Sequence, residues 1–308
     1  MTNTVTAERE HAQPQADPAQ SDDLAVTEQV QLSRDGGADS GHARELAEVA
    51  GGQLATPYDD YVGTSALHSL LRPRTDVPEE PAFLVTTQVM ELYFGLLRTE
   101  WLLAQRQLAA DDLAAATTTL RRSTWHFEAL NAAWASLSRL TPGQFNRFRE
   151  ALGEASGFQS AMYRHVEFLL GGKNSVLLRP HRRTPVVHAE LLTALHAPSL
   201  YDSVLSYLAA HGYDAPDGVR PEGAEPDPRA EAAWLKVYQG DDEPLRELAE
   251  ALVDLATQFS DWRYRHVVAV RRSMGSKPGT GGSSGLRFLE ESMRREIFPE
   301  LWGARTSV

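Results

Sequence analysis

The residues best placed to do chemistry lie between Gln258 and Gly285, in the stretch QFSDWRYRHVVAVRRSMGSKPGTGGSSG. Phe259, Trp262, His266, Ala269 and Val270 fall on one face of a helix. An imidazole within that stripe faces inward, with Arg263 and Arg265 beside it. The helix then yields to a loop with five glycines in the eleven residues from Gly275 to Gly285. Such a backbone can take positive φ and approach a bound group closely. A buried-side imidazole on a rigid helix, followed by a backbone of this kind, is one way to hold a metal cofactor. The same residue types also describe a hydrogen-bonded core histidine, so residue type alone leaves both readings open. The loop is not a phosphate cradle. It follows a helix rather than a strand, and it lacks both GxxxxGK[ST] and GxGxxG.

Composition narrows the chemistry. Thirty basic residues stand against 42 acidic ones, a net charge of −12, which argues against nucleic acid or an anionic membrane as partner. The absence of cysteine removes disulfides, iron–sulfur clusters, thiolate or thioether-linked haem, and cysteine nucleophiles. Any metal must be held by histidine, carboxylate or tyrosine. No apolar run approaches the roughly 20 residues of a membrane span, and the N-terminus lacks a basic start with an apolar core. A cytoplasmic protein is expected.

The elements that must position His266 read as helices throughout. Residues 1–54 contain no Phe, Trp or Tyr and carry ten acidic residues against three arginines. This acidic tail is expected to be mostly disordered, with a short helix over Asp39 to Val49. The aromatics of TPYDDYVGTSALHSLL open the ordered domain, residues 55–308. Long helices are expected from Phe83 to Gln107, Asp111 to Leu140 and Pro244 to Met274. Shorter ones are expected at Pro142 to Leu152, from Ser156 to the GGKN stop, at His188 to His196, Ser199 to His211 and Arg229 to Tyr238, and at Leu286 to Arg295, which closes the domain. Thr141, Pro142 and Gln144 form a capping signal for the first of these. Nothing alternates with period two, and no internal repeat is evident. The fold class is all-α, with one main core.

Four stretches in order, ASGFQSAMYRHVEFLLGGKN, APSLYDSVLSYLAAHG, WRYRH with GTGGSSG, and FPELWGARTSV, resemble the tryptophan 2,3-dioxygenase family. The resemblance covers nearly everything from Tyr58 to Val308. It implies a helical bundle with non-covalent haem b between helices and His266 as the proximal iron ligand. Trp134 corresponds to an aromatic residue packed against the haem. Arg149 matches the arginine that pairs with the substrate carboxylate, and Thr280 the residue that holds the amino-acid end as the glycine loop closes. Ser156 and Gly157 correspond to positions beside the iron on the oxygen side, and Phe83 to a wall of the indole pocket. Tyr58 and Tyr61 match tyrosines that reach into a neighbouring subunit, so a homotetramer with exchanged N-terminal segments is implied. The partner is a small aromatic amino acid, with O2 as co-substrate.

Two positions depart from the family pattern. Phe-x-x-x-His-Gln reads Phe83-Leu-Val-Thr-Thr87-Gln88, so Thr87 replaces the histidine that hydrogen-bonds the indole N–H. A tyrosine one turn before the arginine is Phe145 instead. Threonine is shorter and is no base near neutral pH. The expected activity is oxygen insertion at indole C2–C3 of L-tryptophan or a β-substituted tryptophan. Monooxygenation to a 2-oxindole or 3-hydroxyindoline product, with an external reductant, is slightly favoured over ring opening to N-formylkynurenine. This resembles a specialised natural-product branch such as that of maremycin biosynthesis, within antibiotic biosynthesis. A tyrosine hydroxylase and a haem-binding protein without catalysis are the further alternatives.

Overall fold

The computed structural model describes residues 56–281 and 283–308; the acidic tail and its expected helix over Asp39 to Val49 lie outside them. Two compact units are distinguished, with a boundary between His68 and Ser69. In the first, α1 (Pro57–Val62) is capped by Thr56 and closed by Gly63 in the left-handed region, φ 67°. The start of α2 (Thr64–Ser69) is tied back to α1 by the Asp59 carboxylate, which accepts from Ser65 N–H at 2.8 Å and from the Thr64 hydroxyl.

The second unit is built around α3 (Glu80–Ala109), α4 (Leu113–Ala133) and α10 (Glu243–Ser273). The pairs Trp101–Ser123 and Gln107–Thr119 run in opposite directions along the two helices, so α3 and α4 are antiparallel. Arg121–Glu247 and Asn131–Gln258 advance together, so α4 and α10 are parallel. Trp101 stacks on Phe127, and Phe127 meets Phe259 edge-on at 6.0 Å. All three rings are fully buried where the helices meet. The buried aromatics follow the helical period that the sequence shows, which is why these three helices form one core.

Around them lie α5 (Pro142–Arg149), α6 (Ala161–Leu169), α7 (Pro185–His196), α8 (Leu200–Ala210), α9 (Pro228–Gln239), α11 (Leu286–Met293) and α12 (Pro299–Thr306). Among the described residues there is no strand, and no helix is long and apolar enough to cross a membrane. The all-α expectation holds. The Thr141 capping box forms, with the Gln144 side chain accepting from the Thr141 N–H at 2.9 Å.

Several boundaries shift from the sequence reading, among them both ends of α3, the end of α5 and the start of α7, and three of the shifts have a local backbone cause. Asp111 has φ 61°, which is incompatible with starting a helix, so Asp112 caps α4 instead. That helix also stops at Ala133 and tightens into a 3-10 turn, Trp134–Ser136. Ser160 is extended and caps α6 through Tyr163 N–H, so residues 155–160 are a loop with one short 3-10 turn rather than the first turn of a helix. A 3-10 segment, Ser175–Arg183, and α12 carry no signal in the periodicity. The 3-10 segment contains Pro180, and α12 follows Phe298 at φ 56°. Replacement of Phe127 by alanine empties the shared core of α3, α4 and α10. The expected cost is about 3–5 kcal/mol, read as a lowered urea midpoint at unchanged helix content in the native baseline.

Candidate functional site

A cavity of about 740 Å3 opens in the second unit, bounded by α3, α10, α5, the Trp134 turn, the 155–160 loop and the glycine loop. That volume is within the range of ligand and cofactor sites. Helix α3 contributes Phe83, Thr87, Met90 and Phe94 at steps of four, three and four. Helix α10 contributes Trp262, His266, Ala269, Val270 and Ser273. Long helices hold these side chains because their other faces are locked in the core.

The His266 ring lies between two indoles. It stacks on Trp134 at 5.1 Å with an interplanar angle of 25°, and meets Trp262 edge-on at 5.3 Å. Burial among these rings depresses its pKa to about 4, so the imidazole is neutral at neutral pH. Neither ring nitrogen has a hydrogen bond among the described residues. The Trp134 and Trp262 Nε1–H groups are buried without an acceptor as well. Among the described residues no three His, Cys, Asp or Glu side chains converge to hold an ion. A metal bound by His266 would therefore have to bring its own equatorial ligands, as haem does. A neutral imidazole, flanking aromatic faces and a largely apolar cavity fit that group.

Phe83, Phe145 and Phe148 form an aromatic cluster, with Phe83 5.9 Å from Phe145 and 5.5 Å from Phe148. Phe83 and Phe145 line the cavity. Thr87 also faces it, with its hydroxyl within hydrogen-bond distance of the carbonyls of Phe83 (3.1 Å) and Leu84 (2.8 Å) on its own helix. A hydroxyl has one proton, so the oxygen is left with acceptor capacity.

The glycine loop lies across the 155–156 segment. The Thr280 hydroxyl donates to the Ala155 carbonyl at 2.6 Å. A Cβ on Gly281 would stand 2.6 Å from Ser156 Cβ, and one on Gly285, at φ 63°, would meet the Lys277 carbonyl at 2.5 Å. Glycine is required at both places by close approach. Ser156, Gly157 and Thr280 all line the cavity. Arg149 is placed differently: it is not among the lining residues, and its Nη2 donates to the Pro278 carbonyl at 2.8 Å. Tyr58 and Tyr61 belong to α1 in the first unit, where the two residues are 69% and 92% exposed.

Sequence reasoning missed the charged residues of the wall. Glu167 sits between the guanidiniums of Arg164 and Arg263, all three buried, and all three line the cavity. Arg263 also donates to the Arg295 carbonyl at 2.8 Å. Two guanidiniums against one carboxylate leave this wall with a net positive charge. Burial raises the Tyr163 pKa, so its phenol stays neutral there. Arg72 and Arg74, ahead of α3, line the cavity too. Only the proximity of Arg263 to His266 was visible in the spacing.

The model of the tryptophan 2,3-dioxygenase family matches residues 40–222 and 227–308. A tryptophan 2,3-dioxygenase of Burkholderia pseudomallei is 40% identical over 260 residues, covering 82% of this chain and 84% of its own. Two from Bradyrhizobium species are 41% identical and cover 82% of this chain and 92% of theirs. The chain belongs to the tryptophan 2,3-dioxygenase family, which implies haem and O2 in a tryptophan-oxygenating enzyme.

For the haem-free protein the depressed His266 pKa sets a sign. The unfolded chain gains a proton near pH 6.5 and the folded one only near 4, so the unfolded state binds more protons between those values. Stability is full above about pH 6.5 and falls as the pH drops toward 4. The urea midpoint should fall more steeply from pH 7 to 5 in the wild type than in a His266→Phe variant; equal slopes would show an imidazole that is not desolvated.

Proposed function

We propose that this chain is a haem-dependent oxygenase that inserts O2-derived oxygen at indole C2–C3 of L-tryptophan or a β-substituted tryptophan. The observation that carries the reading is His266, neutral, held between Trp134 and Trp262 and facing a cavity with no other metal ligand set among the described residues. In this reading His266 would hold the haem iron, and Trp134 would pack against the haem. The bound haem supplies O2 activation, and the rest of the chemistry is positioning and exclusion of water.

Phe83 and Phe145 would clasp the indole ring. Thr87, whose proton is committed to its own helix, would accept the indole N–H on its oxygen. Ser156 and Gly157 would flank the oxygen side, where the glycine loop leaves little room for water. Arg149 keeps Nη1 for the substrate carboxylate while Nη2 holds Pro278, and a guanidinium suits that charge by its planar donors. Thr280 keeps acceptor capacity for the substrate ammonium. Tyr58 and Tyr61, exposed on α1, would reach a neighbouring subunit's cavity in a homotetramer.

Ring opening to N-formylkynurenine comes first, on the strength of relatives named tryptophan 2,3-dioxygenase at 40–41% identity. Transfer of a single oxygen atom, with an external reductant supplying the two electrons that, with two protons, release the second as water, is the other reading. It is favoured by Thr87 and Phe145, which put a hydroxyl and a phenyl ring where the family pattern has a histidine and a tyrosine, and it would suit a β-substituted substrate in a natural-product pathway. The test is product mass after turnover of L-tryptophan in 18O2. Two labelled atoms in N-formylkynurenine support ring opening, and one labelled atom in a 2-oxindole or hydroxyindoline supports the second reading. A His266→Ala variant should lose the haem Soret band and turnover together; an unchanged band and rate would reject the site.

A further inference from the structure

Arg149 donates through Nη2 to the Pro278 carbonyl and its Nε is buried without a partner. One of its five N–H donors is thus taken by the glycine loop and one is shut away from solvent, and the residue is not among those that line the cavity. A carboxylate at the edge of a mainly apolar cavity needs more compensation than a guanidinium set behind the lining and partly committed to a carbonyl. Four arginines line the cavity: Arg72, Arg74, Arg164 and Arg263. Arg164 and Arg263 are buried beside Glu167. Arg74 is anchored, with its Nη1 donating to the carbonyls of Ala151 (2.9 Å) and Leu152 (3.1 Å) and its backbone N–H to Glu80 at 2.7 Å. Arg72 differs from these three. It is exposed, its Nε donates to the Ser69 carbonyl at 2.7 Å, and among the described residues both of its Nη atoms are without a partner.

The anchoring of Arg74 also locates Arg72. The carbonyls it holds belong to residues two and three positions after Arg149, so the segment Arg72-Pro73-Arg74 runs beside the end of the cavity that α5 closes. Thr280 and Pro278 bring the glycine loop to the same end. Phe83 and Phe145 mark the apolar part of the cavity, leaving this end for the charged part of an amino acid. Pro73 restricts the backbone of Arg72 to extended conformations, which lowers the entropy lost when its side chain engages a ligand.

We propose that Arg72 is a specificity-determining residue that binds the α-carboxylate of the substrate amino acid alongside Arg149. This rests on the reading of the cavity as a tryptophan site. The test uses the full-length haem-loaded enzyme as wild type, Arg72→Gln and Arg72→Lys, with L-tryptophan and L-tryptophanamide as substrates, and equilibrium binding of each measured in parallel. For L-tryptophan, Arg72→Gln should raise KM and Kd about ten-fold with kcat within about two-fold of wild type. Arg72→Lys should fall between, since an ammonium keeps the charge without the planar fork. For the amide, which lacks the carboxylate, wild type and Arg72→Gln should coincide. An unchanged KM for L-tryptophan, or an equal loss with both substrates, overturns the proposal while leaving the oxygenase reading intact. A wild type that neither binds nor turns over L-tryptophan or β-methyl-L-tryptophan overturns both.

Discussion

The burial of the His266 imidazole between two indoles, with no hydrogen-bond partner among the described residues, is the constraint on which the site depends. A desolvated ring in that position cannot carry a proton near neutral pH, and so it presents a lone pair. The ring is held there by the face of α10 opposite the cavity. That face is committed to Phe127 and the other side chains packed between α4 and α10, so the imidazole cannot rotate away without disturbing the core. The long helices of this protein thus bury apolar surface and at the same time fix the position of the imidazole.

The opposite side of the cavity is built on a different principle. Where α10 ends, the chain returns as a loop with its glycines close against Ser156 and Lys277. Few direct bonds hold it: Thr280 to Ala155, Arg149 to Pro278 and Lys277 to Asn146. Each joins a loop residue to the segment 146–155. A rigid helical side thus faces a side held by a few polar contacts, which suits a pocket that must admit a ligand and then exclude water.

Charge is distributed with the same asymmetry. Arg164, Glu167 and Arg263 are sequestered with one another and with the Arg295 carbonyl, and their burial makes removal of any one partner costly. Arg72, Arg74 and Arg149 lie nearer solvent and differ in how fully they are bonded. The cavity therefore offers aromatic surface from α3 and α5, a buried positive wall from α6 and α10, and looser guanidiniums where the loops meet. Thr87 belongs to the aromatic part. Its hydroxyl is turned onto its own helix, so it adds little polarity beside an indole.

Much of this was legible in the sequence because helical periodicity is a local property. The stripe through Phe259, Trp262 and His266, the capping box at Thr141 and the absence of alternating stretches are all decided within a few residues, and they determined an all-α chain with an inward-facing imidazole. The close spacing of glycines in the last loop likewise pointed to a near approach of backbone. What the loop approaches was decided elsewhere, since Ser156 is more than a hundred residues away. The end of α4 before Trp134, the extended backbone at Ser160 and the helix at Pro299–Thr306, which follows Phe298 at φ 56°, depend on tertiary packing, which periodicity does not encode. The same holds for the pairing of Glu167 with Arg164 and Arg263 and for the bond from Arg149 to Pro278. Sequence specifies which face of a helix is apolar; only the packed chain decides which distant charge stands opposite another, because electrostatic partners are chosen by position in space.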